Sequence, residues 1–342
     1  MSVYQRVLSG VRPTGHIHLG NYLGAIRNWV EMAHESKEQL FCIVDQHALT
    51  TAADSKDLSE NTRTIAAAYI ASGINPDKSV IFAQSHVPAH TELAWYLNCF
   101  APLGWLNRMT QFKDKAGKNK DRANLGLYAY PVLMAADILI YKATHVPVGD
   151  DQKQHVELAR DLAGVFNNHA NQEIFPLPEP VIQKDTARIM SLRDGLRKMS
   201  KSDLSDYSRI HLLDDSDVIA LKIRKAKTDS DPIPGTPKDL VSRPEAYNLL
   251  GIYAALSGQT VEALCATFEG KTFSSVKQAL TDVLITSLTP IRNKMISLLQ
   301  DTQELDKILY KGAETANSLA EKNLKEVRQV LGLIARMDQL EK

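Results

Sequence analysis

The sequence predicts an α/β protein, a Rossmann-like doubly wound parallel sheet followed by an α-helical domain. Three features carry that expectation. Short apolar runs alternate with helical patterns through the first half of the chain, the rhythm of strands joined by crossover helices. Glycine-bearing turns follow two of these runs, where the ligand loops of such sheets lie. Beyond Pro244, and as far as Gln339, the pattern is almost wholly helical.

In chain order, Val7–Leu8 reads as a strand that enters GVRPTGHIHLGNYLG (Gly10–Gly24), after which Leu19, Tyr22, Leu23, Ile26 and Val30 recur at helical spacing. LFCIV (Leu40–Val44) reads as a buried strand, Thr62–Ser72 as a helix and SVIF (Ser79–Phe82) as a third strand. Val146–Val148 is a further strand, with Gly149-Asp150-Asp151 directly after it. KDKAGKNKDR (Lys113–Arg122) and LRDGLRKMSKSD (Leu192–Asp203) read as exposed segments, and SDPIPGTPKD (Ser230–Asp239) as a long turn. Leu280, Val283, Leu284, Ser287 and Leu288 keep a 3.6-residue period, which fits a helical bundle. The expected division is a catalytic domain over 1–208, with an insertion around 90–145 serving dimerisation and the substrate pocket, and a helical domain over 209–342.

With 342 residues, 44% of them hydrophobic, the chain can bury two cores. A formal net charge of zero gives no global signature of a nucleic-acid partner, although local basic patches can still bind phosphate. Cys42, Cys99 and Cys265 are scattered and suit a reducing compartment. The start MSVYQRVLSG lacks a signal pattern. No apolar run approaches the roughly 20 residues of a membrane span, and the longest, Tyr128–Tyr141, is broken by Asp137. A cytoplasmic protein without membrane contact is the expectation. Asp45 and His47 in VDQHA lack a second histidine at ligand spacing, and no cysteine cluster is present, so no structural metal is expected.

The chemistry is concentrated in two segments. The glycine loop between strand and helix presents backbone N–H groups and a helix N-terminus to an anion, with His16, His18 and Asn21 beside them. Taken alone it is neither a dinucleotide fingerprint nor a phosphate loop. Lys198-Met199-Ser200-Lys201-Ser202 spells KMSKS, two lysines flanking a hydroxyl-rich turn that can neutralise a polyphosphate. Together, His18-Leu19-Gly20-Asn21 and Lys198–Ser202 resemble the two signatures of the class I aminoacyl-tRNA synthetases, with Asn21 at the last position of the first. FCIVDQHALT (Phe41–Thr50), RMTQFKDK (Arg108–Lys115), YPVLMAADIL (Tyr130–Leu139), PVGDDQKQH (Pro147–His155) and ARIMSL (Ala187–Leu192) resemble the bacterial tryptophan branch of that family.

The resemblance implies activation of L-tryptophan by ATP, with Mg2+, to an adenylate and pyrophosphate, then transfer to tRNA(Trp) by a homodimer. It implies catalytic roles for His18, Asn21, Lys198 and Lys201. The ATP site would comprise Arg12, Pro13, Thr14, Gly20, Asn21, Gly149, Asp150, Asp151, Ile189, Lys198, Met199, Ser200, Lys201 and Ser202, with Lys115 a further phosphate contact. Ile189 and Met190 would meet adenine through backbone groups. Asp137, Tyr130, Met134, His47 and Gln152 would line the tryptophan pocket. Asp137 suits an indole N–H, because an ionised carboxylate only accepts hydrogen bonds; a helix N-cap or structural ion pair is the alternative. The helical domain would read the anticodon, and Ala94–Trp105 would contribute to the dimer interface or to the core. A tyrosine-specific enzyme, a small nucleotidyltransferase and a non-catalytic RNA-binding relative are the rival readings. Glutamine, threonine and phenylalanine are frequent in that branch where this chain has Arg12, His18 and Leu8.

Overall fold

The computed structural model describes residues 4–50, 57–109, 124–182, 188–201 and 203–334. Lys115, the whole basic loop 113–122 and Ser202 lie outside the described residues. Five parallel strands form the sheet: β1 Tyr4–Val11, β2 Ser36–Ile43, β3 Val80–Ala83, β4 His145–Pro147 and β5 Glu179–Val181, in the order β3-β2-β1-β4-β5. Leu8 pairs with Leu40, Leu40 with Val80, and Val7 with His145. The inner end of β2 (Leu40–Ile43) is fully buried, as expected of a strand covered on both faces. The four expected strands are present. β5 escapes a sequence reading because Pro178 and Pro180 flank Glu179. An edge strand tolerates such prolines, and β5 is an edge strand.

The chain runs outward from β1 to β3, then crosses back to β4 and β5, so the winding reverses between β1 and β4. Loops at the carboxyl ends of strands beside such a reversal form a crevice. Into it run Arg12 after β1, helix α3 (Asp45–Ala48) after β2, Gln84 after β3 and Gly149–Gln152 after β4. After the glycine loop, helix α1 (Leu19–Asn21) passes through a π turn (Tyr22–Ile26) into α2 (Arg27–Glu35). Then follow α4 (Leu58–Ala71), α5 (Ala89–Asn98), α6 (Leu103–Asn107), α7 (Leu125–Leu139) and α8 (Lys153–Ala170).

Leu192–Asp203 does not stay an open exposed segment. It begins in an antiparallel hairpin of β6 (Met190–Ser191) and β7 (Asp194–Lys198). No alternation of buried and exposed residues marks β7, since Leu196, Arg197 and Lys198 are all exposed. Its anchor is Gly195, where a Cβ would come within 2.5 Å of the Pro244–Glu245 backbone.

The helical half comprises α9 (Ser216–Lys225), α10 (Pro244–Ser257), α11 (Val261–Phe268), α12 (Phe273–Gln300) and α13 (Thr302–Val330). The last of these returns to the sheet. At Gly312 a Cβ would lie 1.9 Å from the Ile81 carbonyl oxygen, so only glycine lets helix and edge strand meet there. Ala313, Ala316, Ala320, Leu324 and Val327 share one apolar cluster with Leu40, Phe82, Ala136 and Tyr141. Arg63 grips Asp306 through two 2.8 Å bonds. Arg328 grips Glu92 on α5 at 2.6 and 2.8 Å, and Asn323 donates to the Ile140 carbonyl just past α7 at 2.7 Å.

Candidate active site

His18 is the N-cap of α1. Its Nδ1 accepts from the Asn21 N–H and its own N–H donates to Asn21 Oδ1, both at 3.3 Å. This reciprocal capping box satisfies helix-end donors and gives Asn21 a structural duty in addition to any contact with ligand. His18 is buried. Burial above all, then the positive charges of Lys201, His211, Arg209 and Lys198, lowers its pKa to about 3, so the imidazole is neutral near pH 7.

The two signature segments meet. Lys201 Nζ donates to the Thr14 carbonyl at 2.7 Å. A Cβ at Gly20 would press on the His18 ring at 3.1 Å and on Met199 at 3.4 Å. Gly15, at φ +62°, makes the turn. Pro13 and Met199 are buried, Ser200 is half-buried and Lys198 is exposed at the end of β7. The backbone of the two residues expected at adenine is bonded within the chain. Asn248 accepts from Met190 N at 2.9 Å and donates to Met190 O at 3.0 Å, and Ile189 O accepts from Met199 N at 3.0 Å. These groups already have partners within the chain.

Beside this cluster opens a cavity of about 750 Å³, lined by Arg12, His47, Tyr130, Met134, Asp137, Gly149, Asp151 and Gln152 together with Leu8 and Cys42 of β1 and β2. All five residues expected around tryptophan are therefore present in one cavity. Asp150 instead lines an adjoining crevice of about 120 Å³ that shares Trp29, Val148 and Gly149 with the cavity. Tyr130 OH lies 2.9 Å from His155 Nε2. Burial raises the Tyr130 pKa to about 12 against the opposing charge of Arg12.

Asp137 sits inside α7, whose N-cap is Asn124, so the N-cap alternative falls. Its Oδ1 accepts from Gln84 Nε2 at 2.7 Å and faces His90 Nδ1 at 2.7 Å, while Oδ2 faces His47 Nε2 at 2.8 Å. His90 Nε2 lies 2.8 Å from Tyr141 OH. If His90 donates from Nδ1, its Nε2 accepts the hydrogen bond from the tyrosine hydroxyl. Burial favours the neutral acid, yet the bonds from His47 and His90 outweigh it and hold the pKa at about 2. A carboxylate has about four acceptor positions. Among the described residues three are used, and the fourth lies on Oδ2, the oxygen that also faces cavity-lining His47. Gln84 and His90 were missed by the sequence reading. The available signal was QSHVPAH (Gln84–His90), which puts polar groups at the carboxyl end of a buried strand.

A fold wound in this way, with a capped glycine loop beside a lysine-bearing turn, defines a class of nucleotide-dependent enzyme. The family described as tRNA synthetases class I (W and Y) matches residues 4–289, and the chain belongs to it. It is 56% identical to a tryptophan--tRNA ligase of Caulobacter vibrioides over 96% of this chain and 95% of that one. It is 52% identical to that of Brucella melitensis over 95% and 97%. The crystal structure of tryptophanyl-tRNA synthetase from Campylobacter jejuni, complexed with ADP and tryptophan, superposes with a TM-score of 0.83 at 35% identity, covering 96% of this chain and 100% of that one. Within the family, these relatives place the chain in the tryptophan branch.

Proposed function

We propose that the chain joins L-tryptophan to tRNA(Trp) in two steps on the residues described above. The activity is that of a tryptophan--tRNA ligase, an ATP-dependent aminoacyl-tRNA synthetase. In the first step the tryptophan carboxylate attacks the α-phosphate of ATP; the α–β bridging bond breaks and pyrophosphate leaves. In the second, the 2′-hydroxyl of the terminal adenosine attacks the carbonyl carbon, loses its proton and releases AMP. Side chains make few covalent changes here, so positioning and charge stabilisation supply most of the rate.

One observation carries the substrate assignment: buried Asp137 lines the cavity and, among the described residues, meets three groups, two on Oδ1 and one on Oδ2, which leaves one acceptor position on Oδ2. An indole N–H fits that position, and phenylalanine would leave it empty. Sites built to bond a substrate group reject analogues lacking it by roughly 10⁴–10⁵. Met134, Tyr130, His47 and Gln152 would shape the rest of the pocket. The glycine loop, Gly149 and Asp151 would hold ATP, with Lys198 and Lys201 neutralising the departing pyrophosphate; Lys115 and Ser202 are carried as expectations from the motif. Magnesium would ride on phosphate oxygens and water. Carried by ATP, the metal would supply charge neutralisation.

We also propose a homodimer in the cytoplasm, divided near residue 208 into catalytic and anticodon-reading parts. Trp95 and Leu103 in the Ala94–Trp105 segment are 67% and 68% exposed, which supports an interface there. No single helix among the described residues is long and apolar enough to cross a membrane. ATP–pyrophosphate exchange tests the substrate. Stimulation by tryptophan but not by tyrosine or phenylalanine is expected, and stimulation by tyrosine alone would overturn the assignment.

A further inference from the structure

A charged network lies behind the KMSKS segment and has no part in the two steps above. Lys222 on α9 is 2% exposed, and its ammonium lies 2.8 Å from Asp206 Oδ2 and 2.7 Å from Asp214 Oδ2. An ammonium buried this deeply needs carboxylates in place of its water. Asp214 Oδ2 also accepts from the His211 N–H at 2.8 Å. His211 in turn bridges His18 across a short antiparallel pairing, flanked by Leu19 N to Ile210 O at 2.8 Å and Leu212 N to Ile17 O at 3.0 Å. One arm of the network thus ends at the first signature.

The other arm ends at the second. Asp206 Oδ1 lies 3.4 Å from Arg209 Nη2 and 2.9 Å from His211 Nε2. His211 Nε2 is also 3.1 Å from Arg209 Nε, so it donates a hydrogen bond to the carboxylate in one tautomer and accepts one from Arg209 in the other. Arg209 Nη1 then donates to the Ser200 carbonyl at 3.2 Å and to the Asp203 carbonyl at 2.9 Å. These two carbonyls stand on either side of Lys201 in the chain. Lys201 itself reaches back to the Thr14 carbonyl.

We propose that Arg209, held by the Lys222–Asp206 pair, is a positioning residue for adenylate formation: it fixes the two carbonyls that bracket Lys201 and so sets where that ammonium sits over the glycine loop. A planar guanidinium can bond a carboxylate on one edge and carbonyls on another at fixed angles, which a lysine cannot do. Arg209 touches no proposed substrate position, so its effect passes through Lys201. The inference rests on the assignment of Lys201 to pyrophosphate.

The test compares the full-length protein with Arg209→Gln, Arg209→Lys, Lys201→Ala and the Arg209→Gln/Lys201→Ala pair in ATP–pyrophosphate exchange. Arg209→Gln is expected to lower kcat roughly 10- to 100-fold, the scale of a small misplacement of a reacting group, with the KM for tryptophan unchanged. Arg209→Lys should recover only part of the loss. The double variant should be no slower than Lys201→Ala, because coupled residues do not add. Should Arg209→Gln fail to fold, Asp206→Asn loosens the same clamp and should show the same kcat loss at unchanged KM, to a smaller degree. A wild-type rate in Arg209→Gln, or its full loss repeated on top of Lys201→Ala, would overturn this inference alone. A wild-type rate in Lys201→Ala would overturn the pyrophosphate assignment and this inference with it.

Discussion

His90 Nδ1 stands 2.7 Å from Asp137 Oδ1, and His90 itself is wholly buried outside the cavity lining. The carboxylate is therefore held from behind, with one oxygen occupied by the scaffold and the other shared between His47 and the cavity. Asp137→Asn keeps the shape but sets an amide N–H against one of three donors. Loss of a hydrogen bond to a charged partner costs about 1.5–3 kcal/mol, so kcat/KM for tryptophan should fall roughly 10- to 100-fold with ATP binding retained. Steady-state exchange kinetics over both substrates check this.

Acid should destabilise the protein in two windows. His18 is a base whose folded pKa lies near 3 instead of 6.5. The unfolded chain takes up a proton that the folded one refuses, so stability declines as pH falls from about 6.5 toward 3. Asp137 is an acid whose pKa is lowered from 3.8 to about 2. Its contribution is complete above about pH 4 and is lost as pH falls toward 2. Urea midpoints measured from pH 7 to 4 should slope downward in the wild type and flatten in His18→Gln.

Arg12 lines the cavity near Tyr130, and its guanidinium has no hydrogen-bonded partner among the described residues. A fixed positive charge there suits a carboxylate or phosphate of the substrates. Arg12→Gln removes the charge and the forked donor. The expected result is a rise of about tenfold in KM for ATP or tryptophan, the size of one charge-assisted bond, with melting temperature unchanged. Unaltered KM values for both substrates would leave Arg12 without a role in binding.

Gly312→Ala places a methyl group on the Ile81 carbonyl. Alanine favours a helix over glycine by about 1 kcal/mol, but backbone overlap of this size exceeds that gain, since overpacking costs about 1–3 kcal/mol even against side chains. A lower melting temperature is expected by calorimetry.

How far the sequence discloses this site depends on how each residue is held. The strands after which the ligand loops fall, the glycine loop and the KMSKS turn are local patterns and were legible. So was Asp137, because a charge within PVLMAADILIY is conspicuous. Its supporters were not. Gln84 and His90 meet it across 53 and 47 residues of chain, and only the fold brings them together. Arg209 and Lys222 were hidden for another reason: among charged residues on exposed-looking segments, nothing local separates a clamp from a solvated face. β5 was concealed by its prolines and β7 by its lack of a buried stripe.

The return of α13 to the sheet has a consequence for how this chain can be divided. A cut near residue 208 would give one fragment with a bare strand edge along β3, Arg63 parted from Asp306 and Glu92 parted from Arg328, and another whose final helix carries an alanine stripe with nothing to cover. Neither piece is a transplantable module. The stretch that covers β3 is more than 200 residues away in the chain, so closing this face of the sheet is a long-range step of folding.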